Sequence, residues 1–267
     1  QKIMKCKKAF LLLLIIIIII AAIAIAERIT GSTGYIHPEY DKADITGILA
    51  KEVLSDDDYR ELFYQTGLGK IAVDEILKDE VSGKEKILKF QEDFFKECNV
   101  LTEKQALIVN YEYIVDEEGQ TMHWFDLAPY ENGYVIVTRS THTLGWRHGH
   151  AGIVTDADKQ EVLEALLLGS DSTLQSINGW RSRPSFIMLK LKDAPEETLD
   201  EIAGYAKNNM LDVPYSLMVG LTSKKNPEPE NIKHTHCSHI VWYPFMRFGY
   251  DVDSNGGWLV TPKDIAN

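Results

Sequence analysis

The sequence predicts an α+β fold, and three observations carry that expectation. Apolar residues recur at helical spacing from about residue 46 to 110, alternating and β-branched runs dominate from about 107 onward, and helical stripes return towards the C-terminus. The 267 residues suffice for one large domain or two small ones with a real core. With 45% hydrophobic and 25% charged residues, the chain belongs with folded rather than disordered proteins.

Taking the elements in order, Lys2, Lys5, Lys7 and Lys8 precede an uncharged apolar run from Ala9 to Ala26, with small residues at Ala24 and Ala26. A basic start, an apolar core and an A-x-A exit describe a secretory signal. The run is also just long enough to span a bilayer. Residues 1–26 are therefore expected to be a signal peptide or a retained N-terminal membrane anchor, with the basic flank inside and the body exported. Residues 27–45, with Gly31, Gly34 and Pro38, read as a linker. Without the four N-terminal lysines the 28 basic residues fall to 24 against 40 acidic ones. So acidic a body argues against nucleic acid, whose phosphates are held by Lys and Arg.

Residues 46–129 read as a mainly helical N-terminal subdomain. Ser55 with Asp58, Ser82 with Glu85 and Thr102 with Gln105 have the spacing of capping boxes. Leu62 and Phe63, then Ile71, Ile76 and Leu77, then Ile87, Leu88, Phe94 and Phe95 supply the apolar stripes, and Gly67 is a helix stop. The acidic run Asp56–Asp58 reads as a first turn complementing the helix dipole rather than a cation site.

Residues 130–267 are expected to form the second domain, an antiparallel sheet core with packed helices. Tyr111, Tyr113 and Val115 alternate with polar residues, and Tyr134–Thr138 is a strong strand signal. Ile153–Thr155 and Val162–Leu166 flank Asp156-Ala157-Asp158 as a hairpin, and Phe186–Leu191 is a further strand. Leu199, Ile202, Ala203 and Ala206 mark a helix between Glu196 and Leu211. Asn226–Glu230 is a loop, and Ile240, Val241, Phe245 and Phe248 mark a last helix stopped by Gly249 and broken or kinked at Pro244.

Cys6, Cys98 and Cys237 are too few and too scattered for a disulfide framework. Cys98 reads as a small core residue, whereas Cys237 sits among polar, titratable neighbours in His-Thr-His-Cys-Ser-His. Thr235 or His236 can cap a helix whose first turn holds Cys237, and both the dipole and the imidazoles would lower the thiol pKa. His150, at the start of a strand, is the candidate base for that thiol. A three-residue turn at Asp156–Asp158 would put Glu164 directly opposite His150, with Cβ atoms about 5 Å apart, to orient the imidazole.

These residues also carry a resemblance. Tyr134–Arg139, Gly145-Trp146-Arg147-His148-Gly149-His150-Ala151-Gly152-Ile153-Val154 and Val162-Leu163-Glu164-Ala165 resemble the start of the circularly permuted NlpC-type papain-fold hydrolases, the YiiX-like group. Val213-Pro214-Tyr215-Ser216, Cys237-Ser238-His239-Ile240-Val241-Trp242, Gly249–Asp253 and Val260–Ile265 extend the likeness over roughly residues 130–267. The resemblance implies a permuted papain-like fold with Cys237 as nucleophile, His150 as base and Glu164 as orienter, and it places Tyr215 in the site lining. Trp146, Arg147 and His148 depart from the family pattern and suggest a specialised substrate contact, and His239 stands where a Glu is common.

The expected activity is thiol-dependent hydrolysis of an amide bond outside the cytoplasm, without cofactor, on cell-wall peptide by family analogy. Lipid acyl transfer or deacylation is the alternative, since lecithin:retinol acyltransferase-like proteins share the permuted core. A rival of another class is a zinc- or ligand-binding envelope protein, because His142, His148, His150, His234, His236 and His239 cluster about the two motifs. Asp251-Val-Asp253-Ser-Asn255-Gly256 imitates the start of an EF-hand loop, but Pro262 stands where its closing Glu belongs, so a turn is expected.

Overall fold

A computed structural model describes residues 11–23, 25, 38–106, 109–143 and 146–267. It is a mixed α+β structure with antiparallel sheets and packed helices. Residues 11–23 are helical (α1), and among the described residues no helix is long and apolar enough to cross a membrane. The four lysines, Cys6, the Ala24 and Ala26 exit and most of the expected linker lie outside the described residues.

Four helices follow: α2 (Thr46–Leu49), α3 (Asp56–Thr66), α4 (Lys70–Leu77) and α5 (Gly83–Phe95). They enclose Ile45, Leu49, Leu62, Leu68, Val73, Ile76 and Ile87, a core separate from the main one. Ser55 and Asp58 form the expected reciprocal capping box at α3, and Gly67 ends that helix at φ 74°. The Ser82–Glu85 box does not form. Asp79 takes Ser82 instead, accepting its N–H at 3.0 Å, because α4 and α5 are joined by a tight turn. That turn brings Gly83 so close to the Ile76 carbonyl that a Cβ there would lie 2.4 Å from it.

The Thr102–Gln105 box is also absent, since the helical layer stops at Phe95 and the chain turns into β1 (Asn99–Lys104). β1 pairs antiparallel with β2 (Val109–Val115), Thr102 opposite Glu112, and β2 pairs with β4 (Thr141–Thr143). The S/T-x-x-Q spacing is as compatible with a strand as with a cap, and a partner strand distant in sequence decides between them.

The main sheet is five-stranded and antiparallel, in the order β7-β6-β5-β3-β8. Its strands are β3 (Val135–Thr138), β5 (His150–Asp156), β6 (Glu161–Glu164), β7 (Thr173–Ser176) and β8 (Phe186–Leu189). Helices α6 (Glu196–Met210) and α7 (His239–Arg247) pack on β5, and α8 (Pro262–Ala266) closes against β3. Every β5 residue from His150 to Thr155 is buried. α7 runs through Pro244 without stopping there, and Gly249 follows at φ 86°. Asp251, Asp253 and Asn255 form a polar turn: Asp251 accepts from Trp242 Nε1 at 2.7 Å, and Asp253 pairs with Lys225.

The β5–β6 register differs from the expected one. Glu164 stands opposite Gly152, not His150, because the connection is longer than three residues and the ladder shifts between Val154 and Asp156. Gln160, in the left-handed region at φ 58°, completes that longer turn. A shift of two residues preserves the face.

Candidate active site

His150 and Cys237 come together although the chain holds them far apart in sequence. His150 opens β5, and Cys237 lies in the turn that leads into α7. The turn is helical in character before the helix proper begins, since Ile240 N–H already donates to the His236 carbonyl at 2.9 Å. The His236 imidazole caps it, its Nδ1 accepting the His239 N–H at 3.3 Å. This is the capping role expected of Thr235 or His236, exerted three residues ahead of the first residue of α7. A parallel bridge between Tyr215 and Thr235 anchors the approaching strand, with Ser216 N–H donating to Thr235 at 2.7 Å.

Glu164 reaches His150 diagonally. Its Oε2 lies 2.6 Å from His150 Nε2, while its Oε1 accepts Trp180 Nε1–H at 2.9 Å. Gly152 makes the diagonal passable, because a Cβ there would sit 3.1 Å from Glu164 Cγ and 2.9 Å from Val162 Cγ2. With Nε2 taken by the carboxylate, Nδ1 is the imidazole atom left for the sulfur. Burial opposes charge on His150, but its bonds to Cys237 and Glu164 lift the pKa to about 9. Burial likewise pushes the Cys237 thiol up, and the imidazoles of His150 and His236 bring it well below the usual thiol value. The two shifts describe one coupled pair in which the thiolate and the imidazolium favour each other.

Aromatic rings complete the walls. Trp180 stacks on His150 at 5.5 Å and 15°, and Tyr111 stacks on it at 6.4 Å and 29°. Burial raises the pKa of Tyr111 and Tyr215, and both feel the charge of Cys237, while the Tyr111 hydroxyl donates to the Leu166 carbonyl at 3.2 Å. Tyr215, which the resemblance put in the site lining, is among the groups that feel the Cys237 charge. Trp180 and Tyr111 were not legible as site residues: Trp180 lies in a short 3-10 turn without periodicity, and Tyr111 looked like any strand aromatic.

Residues 146–148 divide into three roles. Trp146 is 63% exposed and lies 5.5 Å from His148, ring to ring. The Arg147 guanidinium is committed to Glu112, a fully buried carboxylate on β2, with one bond of 2.6 Å. His148 bonds Thr143 Oγ1 at 2.8 Å and the Gly149 carbonyl at 2.7 Å. Burial lowers its pKa, and the charge on Cys237 acts in the opposite direction, so His148 borders the site.

The histidines are dispersed among separate partners. His239 is held between Thr235 Oγ1 at 3.0 Å and the Lys225 carbonyl at 2.8 Å, and burial drives its pKa down to about 3. His142 lies 3.9 Å from Glu112, and His234 is exposed. Among the described residues no group of three or more His, Cys, Asp or Glu side chains could hold a metal ion.

The chain is similar to the uncharacterized protein YycO of Bacillus subtilis (strain 168). The two are 29% identical over 136 residues, which is 51% of this chain and 51% of YycO, so the match spans about half of that relative's length. No family model matches the chain, and no solved structure matches it.

Proposed function

We propose that this protein is an exported thiol hydrolase of the permuted papain-like type, with Cys237 as nucleophile, His150 as base and acid, and Glu164 as orienter. The observation that carries the reading is the buried Cys237–His150–Glu164 relay, with the thiol pKa drawn down and the imidazole pKa raised to about 9. An inert core cysteine would have its pKa raised by burial alone.

The reaction follows from the protonation states. The Cys237 thiolate attacks an acyl carbonyl, and the oxyanion develops near the Cys237 N–H, at the start of the α7 turn. The His150 imidazolium gives its proton to the leaving amine, and an acyl thioester remains. Neutral His150 then takes a proton from water, the hydroxide attacks the thioester, and carboxylic acid departs as the C–S bond breaks and the thiolate–imidazolium pair is restored. Glu164 keeps the ring aligned and favours its charged form through both halves, and Trp180 fixes Glu164. Tyr215 lines the acyl side. Peptide amides of the cell wall are the favoured substrates, in keeping with an export signal or anchor at residues 1–26.

A second reading, lipid deacylation or acyl transfer, has one observation of its own. Leu217, Met218, Leu221 and Trp258 are exposed apolar residues on the segment that follows Tyr215 and on the loop it packs against at Gly220. The two are separated by incubating the protein with muropeptides and with diacyl lipids and following products by mass spectrometry. Release of amide-derived fragments that depends on Cys237 supports the peptide reading, acyl transfer from lipid supports the second, and turnover that survives Cys237→Ala removes both.

A further inference from the structure

Arg183 follows the 3-10 turn Ile177–Ser182 and is only 7% exposed. Its guanidinium carbon lies 4.5 Å from the centroid of the Tyr111 ring and 4.8 Å from that of Tyr113. The two phenols share one face of β2, and Tyr111 in turn stacks on His150. The cation therefore stands one ring away from the candidate base. Ring faces attract a guanidinium, but a buried arginine ordinarily also has oxygen acceptors for its N–H groups. Among the described residues the Arg183 side chain has no ion pair and no hydrogen bond, and its Nη1 is sealed from solvent without an acceptor. Glu164, the carboxylate of the same site, uses one oxygen on His150 and the other on Trp180. Among the described residues, then, a largely buried permanent charge has ring faces as its partners and no counter-charge, which is costly unless a ligand supplies one.

We propose that Arg183 is the anion-binding residue of the candidate active site and takes a carboxylate carried by the substrate. This rests on the thiol-hydrolase reading and adds a substrate class: an acyl compound with a carboxylate near the scissile amide. A planar guanidinium fork grips a carboxylate with two parallel bonds, and the pairing is strong where both partners leave water. Tyr111 and Tyr113 both lie against the guanidinium and limit where the fork can move. In a chain with 40 acidic and 28 basic residues, a buried cation that is unpaired among the described residues would draw an anion towards the sulfur.

The test uses N-acetylglycine and its neutral amide, N-acetylglycinamide, as protectors of Cys237 against iodoacetamide, in the wild-type chain and in Arg183→Gln and Arg183→Lys. In the wild type, N-acetylglycine is expected to protect at a concentration at least about tenfold lower than the amide does. Arg183→Gln should erase that preference, and Arg183→Lys should keep part of it. Equal protection by the two compounds, protection by neither, or a preference that survives in Arg183→Gln overturns the proposal. The wild-type comparison stands even if a variant fails to fold. The unprotected rate at Cys237 relative to Cys98 is read in the same experiment, and equal rates there would sink the activated-thiol reading by itself.

Discussion

Glu164 bonds His150 from a position diagonally across the β5–β6 pair, with Gly152 directly opposite it. The hydrogen of Gly152 leaves the space through which the Glu164 side chain crosses. Gly152→Ala should therefore be disruptive out of proportion to one methyl group, since the new Cβ would meet Glu164 Cγ at 3.1 Å and Val162 Cγ2 at 2.9 Å. Overpacking of this kind costs about 1–3 kcal/mol. Urea denaturation should show that loss, and the alkylation rate of Cys237 at neutral pH should fall with it. Unchanged alkylation would mean that Glu164 does not orient His150 through this gap.

Cys98 and Cys237 are each 6% exposed, so accessibility does not favour either of them. Iodoacetamide at pH 6–7 should nevertheless label Cys237 far faster, because its thiol is drawn down by His150 and His236. His150→Ala should slow that labelling by about 10²-fold or more. Peptide mapping of the alkylated protein reads both rates.

The pH profile follows from the same pair. Hydrolysis needs the Cys237 thiolate and the His150 imidazolium together. It should fall on the acid side as the lowered thiol takes up a proton, and on the alkaline side as His150 loses its proton near pH 9. Alkylation needs only the thiolate, so it should show the acid limb without the alkaline one. A single limb near pH 8.5 in both assays, the behaviour of a free thiol, would exclude the ion pair.

His236 does two things that substitution can separate. Its Nδ1 caps the α7 turn, and its ring lies against the Cys237 sulfur. His236→Ala should lose both, costing about 1 kcal/mol in stability and moving the acid limb of alkylation to higher pH. Asparagine can supply a cap but is too short to replace the imidazole, so His236→Asn should recover stability while the acid limb stays displaced. Recovery of both would reduce His236 to a cap.

Arg147 was expected to contact substrate, and the structure occupies it with Glu112 instead. Arg147→Ala takes the guanidinium away from the buried Glu112 carboxylate and should destabilise the fold by about 3 kcal/mol. Replacing both residues, as in Glu112→Gln with Arg147→Met, should restore most of that. A urea series on the single and double variants measures it. Loss of turnover in Arg147→Ala at unchanged stability would return Arg147 to the substrate side.

What could be read in the sequence was local. Helix α3 was legible from Ser55, Asp58 and Gly67, since a cap and a stop act within a few residues of themselves. Helices α6 and α7 were legible from their apolar periodicity, and the β5–β6 hairpin from its flanking runs. Cys237, His150 and Glu164 could be nominated because the chemistry of a thiol among imidazoles is written in residue types. Tertiary structure alone decided the rest. It turned Thr102–Lys104 into strand by supplying β2 as a partner, and it displaced the β5–β6 register by two residues through a longer turn. It brought Trp180, Tyr111 and Arg183 around the imidazole from segments that share no pattern with it. Those placements depend on which surfaces meet across long stretches of chain, and no spacing within a single segment encodes that meeting.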